Sequence, residues 1–185
     1  MKLVSTSIPD LLLIEPRVFE DDRGFFFESF NAARYAEQAS ITAPFIQDNH
    51  SLSRHGVLRG LHFQRQFPQG KLVRVIRGEV FDVAVDLRLE SPTYGQWVGA
   101  WLSDENKQQM WIPPGFAHGF LTLSAEAECE YKCTEVYHPE DEVTLAWDDP
   151  ELGIDWPLDL LASEICLSDK DKLGLTLQQY LESCR

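Results

Sequence analysis

Short runs of alternating apolar and polar residues, closed off by glycine, proline, asparagine or aspartate, recur along most of the chain. A period of two puts successive side chains on opposite faces of a strand, and runs this short do not make stable helices. The pattern predicts an all-β fold, a β-barrel or jelly roll with short peripheral helices. Strands are expected over 11–19, interrupted by Pro16, and over 25–30 after a turn at Asp21-Asp22-Arg23-Gly24. Further strands are expected over 57–64, 72–89, 96–102, 119–123, 126–136 and 143–147, with Gly78 as a turn or bulge. Phe81, Val83, Val85 and Leu87 alternate with Asp82, Ala84, Asp86 and Arg88, which predicts one buried face. Asn31 can cap a helix through Ala39, Ser103 a helical turn over 104–108, and a helical tail is expected over 176–183.

The 185 residues suit one domain: 1–171 as the main body and 172–185 as a helical tail of that same body. No apolar run approaches the ~18 residues of a membrane span, and the first six residues carry no long apolar stretch, so no signal peptide is expected. Cys129, Cys133, Cys166 and Cys184 form no C-x-x-C pair, which predicts free thiols and a cytoplasmic protein. The formal net charge is −14. That balance argues against nucleic acids, whose binding rests on Lys and Arg, and against anionic membranes. The charge is nevertheless segregated. Residues 50–89 carry seven bases (Arg54, Arg59, Arg65, Lys71, Arg74, Arg77 and Arg88) against Glu79, Asp82 and Asp86. Residues 134–171 carry twelve acids and one base, Lys170. Solvated faces of opposite sign explain most of this. The functional alternative for the rest is a cationic pocket for a small anion, which the net charge does not exclude, because a diphosphate needs only two or three placed cations.

Several segments could carry chemistry. In V-L-R-G-L-H-F-Q, Arg59 and His62 would face opposite ways in a regular strand, but a bulge at Gly60 could turn both toward one cavity. The plainer reading is a buried, satisfied histidine with an arginine at the rim. Lys71 opens an apolar strand, either as an edge residue or as a cation at a barrel mouth. Alternation over 126–133 turns Tyr131 inward with Ala127, Cys129 and Cys133, as a structural residue or as a proton donor. Tyr137 should be more exposed, as a surface aromatic or a stacking platform. Ser168 and Asp171 read as a helix start; the alternative is that Asp171 reaches into the barrel to orient a histidine. Pro113, Gly115 and His118 form a P-x-G-x-x-H that resembles the second cupin motif. The matching first motif lacks H-x-H, since Phe63 and Gln64 follow His62, so no metal site is expected.

Taken in order, D-R-G-F-F-F-E at 22–28, Q-D-N-H-S at 47–51, V-L-R-G-L-H at 57–62, G-K-L-V at 70–73, I-P-P-G-F-A-H-G-F at 112–120, and the stretch from Asp149-Pro150 to Gly153-Ile154 resemble the dTDP-4-dehydrorhamnose 3,5-epimerase family. The resemblance runs from about Leu3 to about Asp171. It implies a cupin-type jelly-roll barrel and a cofactor-free, metal-free enzyme. The implied reaction inverts C3 and C5 of dTDP-4-dehydro-6-deoxy-D-glucose, both of which flank the C4 ketone. It further implies His62 as general base, Asp171 as its orienting carboxylate, Lys71 as stabiliser of the C4 oxyanion, and Tyr131 as acid on the opposite face. The implied substrate-binding residues are Arg23, Glu28, Gln47, Asn49, Arg59, Lys71, His118, Tyr137, Glu142 and Lys170. A homodimer is implied too, with Arg23 and Glu28 reaching the partner's pocket. The chain departs from the family pattern in two places: the stretch between His62 and Lys71 is about one residue short, with Phe63 where tyrosine is usual, and the segment before Ser168 is a residue or two long. Competing readings are a single-centre epimerase, a ketoisomerase on the same substrate, a metal-dependent cupin oxygenase and an inactive sugar-binding protein.

Overall fold

The structure is a computed structural model that describes residues 1–162 and 164–184. One sheet runs in the order β1 (Lys2–Ser5), β2 (Leu12–Glu15), β10 (Gln109–Ile112), β7 (Lys71–Arg77), β12 (Glu126–Cys133) and β5 (Gln47–Arg54). The second runs β13 (Glu142–Thr144), β6 (Leu58–Gln64), β11 (Phe116–Thr122), β8 (Glu79–Asp86) and β9 (Trp97–Ser103). The pairings within both sheets are antiparallel. A separate hairpin joins β3 (Val18–Asp21) to β4 (Gly24–Phe27). The two sheets face each other as a jelly-roll barrel, with helices α1 (Ala32–Ala39) and α2 (Leu177–Ser183) outside it. The Asn31 cap lies where the sequence put it, and Thr176, expected as the first helical residue of the tail, is instead its cap. Asn31 accepts from the Arg34 amide, and Thr176 forms a reciprocal capping box with Gln179.

Three apolar layers result. Val73 and Val75 of β7, Ala127 and Cys129 of β12, Val80 and Ala84 of β8, and Phe116 and Phe120 of β11 meet between the sheets. Ile14, Tyr35, Leu72 and Trp111 form a smaller cluster under α1. On the far side of the five-stranded sheet, Phe81, Val83 and Val85 pack against Trp156, Leu177 and Tyr180 from the C-terminal part. Full burial of such a side chain contributes about 1.5–3 kcal/mol. The expectation of one buried face on β8 is therefore corrected. Its apolar face is covered by the C-terminal segment, and its other face, with Asp82 fully buried, points into the barrel. Residues 104–108 form a turn rather than a helix, with Ser103 Oγ accepting from the Asn106 amide at 3.0 Å. Three strands escape the sequence reading. β1 and β10 are four residues each, too short to show a period. β5, Q-D-N-H-S-L-S-R, is polar on both faces because its inward residues border a wet opening rather than the core.

Candidate active site

Gly60 decides where the chemistry of β6 points. His118 pairs with His62 and Phe120 with Arg59, so three steps along β6 match two along β11. The extra residue is a bulge at Gly60, with φ +108°. A Cβ here would lie 2.6 Å from both Gly119 Cα and His118 O, so no side chain fits. Leu58 and Leu61 consequently share the outer cluster, and Arg59 and His62 both line the cavity between the sheets. The bulge reading holds, and the plainer reading holds in part, since His62 is satisfied by Asp171 and the exposed Arg59 lies at the rim.

That cavity has a volume of about 470 Å3, in the range of small-molecule sites. Its wall brings together Arg59, His62, Lys71, His118, Tyr131, Lys170 and Asp171 from both sheets and the C-terminal segment. His62 Nε2 lies 2.6 Å from Asp171 Oδ1. The carboxylate accepts only, so Nε2 carries the proton and Nδ1 is left as the basic nitrogen. Asp171 is fixed in turn: its Oδ2 accepts from Ser168 Oγ at 2.7 Å, and Oδ1 faces the Gly60 amide at 3.4 Å. Burial alone would raise the Asp171 pKa, but the bonds from His62 and Ser168 outweigh it and hold the carboxyl below its usual range. Ser168 thus serves both readings of this segment, since its hydroxyl also accepts from the Asp171 amide.

Lys71 is not an edge residue. β7 lies between β10 and β12, and the side chain is buried with its Nζ 3.5 Å from the His62 carbonyl. Burial pushes its pKa down, against the opposing pull of Cys133, Glu142 and Asp82. Tyr131 packs on the inner core, and burial foremost raises its phenol pKa, which keeps the proton on at neutral pH. His118 is buried with Nε2 3.0 and 2.9 Å from the two oxygens of Asp82, and its ring lies 6.4 Å from that of Tyr131. Arg59 Nε donates to Ser53 Oγ at 2.9 Å, which steers the guanidinium along the cavity rim. Of the seven bases in the basic stretch, Arg59 and Lys71 line the cavity. Arg74, Arg77 and Arg88 form ion pairs elsewhere, so both readings of the charge segregation apply in part.

Lys170 extends this cavity into an adjoining recess lined by Tyr137 and Glu142. Glu142 accepts from Lys170 Nζ and from Tyr137 Oη, the latter at 2.7 Å. Burial would raise the Glu142 pKa, but these two partners bring it below its usual value. The same carboxylate, foremost through the hydrogen bond, lifts the Tyr137 phenol to about 12. Gln47 Oε1 accepts from the Tyr137 amide, and Gln47 Nε2 donates to Asn49 Oδ1, so these two residues of β5 brace the recess, while Ser51 of the same strand lines the main cavity. Arg23 and Glu28 stand apart. Arg23 pairs with Asp21 at the hairpin tip and Glu28 with Arg34 beside α1, neither on the cavity wall. Asp82 was missed in the sequence because it sits in an alternating strand on what reads as the solvent face; an aspartate within V-F-D-V-A-V was the available clue. Among the described residues, no group of three or more His, Cys, Asp or Glu side chains is arranged to hold a metal ion.

A family model described as dTDP-4-dehydrorhamnose 3,5-epimerase matches residues 5–179. The enzyme of that name from Pseudomonas aeruginosa is 59% identical over 174 residues, 94% of each chain. Its counterpart from Salmonella typhimurium is 56% identical over 182 residues, 98% of each chain. Among solved structures, a dTDP-6-deoxy-D-glucose-3,5-epimerase from Legionella pneumophila Philadelphia 1, in complex with dTDP-4-keto-L-rhamnose, superposes with a TM-score of 0.92. That likeness holds at 57% identity and covers 96% of this chain and 93% of the other. Sequence and fold thus coincide over nearly the whole length, and the chain belongs to the dTDP-4-dehydrorhamnose 3,5-epimerase family.

Proposed function

We propose that this protein inverts C3 and C5 of dTDP-4-dehydro-6-deoxy-D-glucose, giving dTDP-4-dehydro-L-rhamnose. The observation that carries the reading is the His62–Asp171 pair facing Lys71 and Tyr131 across one cavity. The C4 ketone acidifies the protons on both neighbouring carbons, because their loss places charge on oxygen. His62 Nδ1 takes such a proton, and Asp171 steadies the imidazolium that forms. Lys71, held in a buried position, stabilises the C4 oxyanion; a preplaced cation in a dry site is worth far more than one in water. Tyr131 then delivers a proton to the opposite face.

Arg59 and Lys170 suit the diphosphate, and Tyr137 offers a face for stacking the thymine. His118, Glu142, Gln47 and Asn49 complete the binding set by position. The working unit is a homodimer in which Arg23 and Glu28 enter the partner's cavity. This is supported by their placement away from the cavity of their own chain and by the exposed Phe19, Phe25 and Phe26 on the same hairpin. Residues 1–171 and the tail 172–185 act as one domain in the cytoplasm, where free thiols such as buried Cys129 and Cys133 persist.

Incubation of the purified protein with this substrate in D2O, followed by NMR, tests the reading. Deuterium is expected at both C3 and C5. Label at one carbon alone would make the protein a single-centre epimerase, and no label would exclude epimerase action on this substrate.

A further inference from the structure

We infer that the C-terminal strap, residues 174–180, is a positioning element that holds Asp171 against His62. The inference rests on the proposed role of that pair and assigns a function to the tail. Asp171 is three residues before Gly174, at the start of a short 3-10 turn that ends at Leu173. From there the backbone is spliced to the strand beside His62. Thr144 of β13 lies opposite His62, and the Thr144 carbonyl accepts from the Leu175 amide at 2.9 Å. The Leu175 carbonyl accepts in turn from the Ala146 amide at 2.8 Å. A hydrogen-bonded ladder thus runs from His62 through Thr144 to Leu175, four residues past Asp171.

Gly174 shows how tightly this splice is closed. Its φ of −59° suits any residue, so conformational freedom does not explain the glycine. Space does: a Cβ would lie 2.5 Å from Ala146 N, 2.6 Å from Leu145 C and 2.7 Å from Leu145 O. These are backbone atoms and cannot swing aside. The far end of the strap is anchored behind the catalytic strand. Tyr180 packs edge-on against Phe63, the residue after His62, with ring centroids 5.0 Å apart. The Leu177 amide donates to buried Asp149, and Arg65 just beyond β6 donates to the Ser183 carbonyl. Both members of the pair are therefore tied to one element through backbone bonds and neighbouring packing.

Gly174→Ala must lift the strap and move Asp171 by several tenths of an ångström or more. A misplacement approaching 1 Å costs on the order of a hundredfold in rate. Steady-state kinetics with dTDP-4-dehydro-6-deoxyglucose should show kcat down at least tenfold with a smaller change in KM, since the strap stays off the main cavity and only Leu175 borders the adjoining recess. In the same protein, 1H–15N spectra of the histidine imidazoles, assigned with His62→Ala, should show His62 Nε2–H displaced from its position in the parent. Unchanged His62 signals overturn the inference whatever the rate does. Displaced signals with unchanged kcat would support the strap but remove the Asp171 pairing from the proposed mechanism. Should Gly174→Ala not fold, Tyr180→Ala is read by the same two measurements; Tyr180→Phe, which keeps the ring contact, should match the parent in both.

Discussion

A base that removes a proton and returns it to the same face restores the starting configuration, so inversion needs a second group on the other side. Tyr131, the proposed donor, lines the cavity, with burial keeping its phenol protonated. In Tyr131→Phe, wash-in of deuterium by His62 should persist while net inversion falls by at least tenfold, as NMR in D2O can separate. Equal loss of both would remove the donor role. Asp82 is the quieter case. Its charge lies fully buried against His118 Nε2, and such a carboxylate fixes which nitrogen carries the proton. Asp82→Asn should lower kcat/KM by roughly tenfold to a hundredfold while circular dichroism stays unchanged; parent kinetics would show the pairing to be merely structural. The inward turn of Tyr131 was legible from strand alternation and that of His62 from the glycine beside it, whereas Lys71, open to an edge or a barrel-mouth reading, was singled out only by the family resemblance. Asp82 was not legible, because alternation says that faces differ and not which one is covered.

At the scale of elements, β6 and the end of β8 carry the most specific local designs. Gly60→Ala puts a Cβ into the β11 backbone and forces a left-handed φ on a residue that avoids it. A cost of about 2–4 kcal/mol is expected, a fall in Tm of roughly 4–15 °C for a chain of this size. A fall under about 2 °C would mean that the bulge relaxes freely. At the end of β8, buried Asp86 accepts from the Arg88 guanidinium, Ser91 Oγ and Thr93 Oγ1. Burial would raise its pKa, but these donors win and hold it at about 2, against an ordinary value of 3.8. A carboxylate whose folded pKa is depressed adds stability that is complete above the unfolded pKa and lost as pH falls through the folded one. Asp86→Asn should therefore cost about 2 kcal/mol in urea unfolding at pH 7, and the gap to the parent should close between about pH 4 and pH 2. A gap independent of pH would assign the loss to packing. Such latches are hard to see beforehand. Asp86 and Arg88 stand two apart in the sequence, yet what buries them is the chain from Gln96 and Gly115, whose backbone bonds close over this turn.

For the whole molecule, the proposed crossing of the hairpin into a partner's cavity sets the scale of the last prediction. Within one chain the cavity holds His62, Asp171, Lys71 and Tyr131, while Arg23 and Glu28 sit on or beside a hairpin whose Phe25 and Phe26 face solvent. The sequence placed all these residues in one family pattern, but a linear pattern does not say whether two segments meet within a chain or between copies. Geometry between copies makes a numerical prediction. Arg23→Ala spoils the arm and leaves the cavity intact; His62→Ala does the reverse. If arms cross over in a two-fold dimer, a mixed dimer has one site built wholly from sound parts and one built from both damaged parts. Random re-pairing of equal amounts makes half the dimers mixed, so about a quarter of parent activity should return on mixing two inactive variants. If each arm serves its own cavity, every site in every dimer carries one lesion and mixing restores nothing. Refolding or prolonged co-incubation of differently tagged variants, with the mixed species isolated on both tags, reads the two outcomes apart. Activity in the doubly tagged fraction at about half that of the parent dimer is the value the crossed arrangement requires.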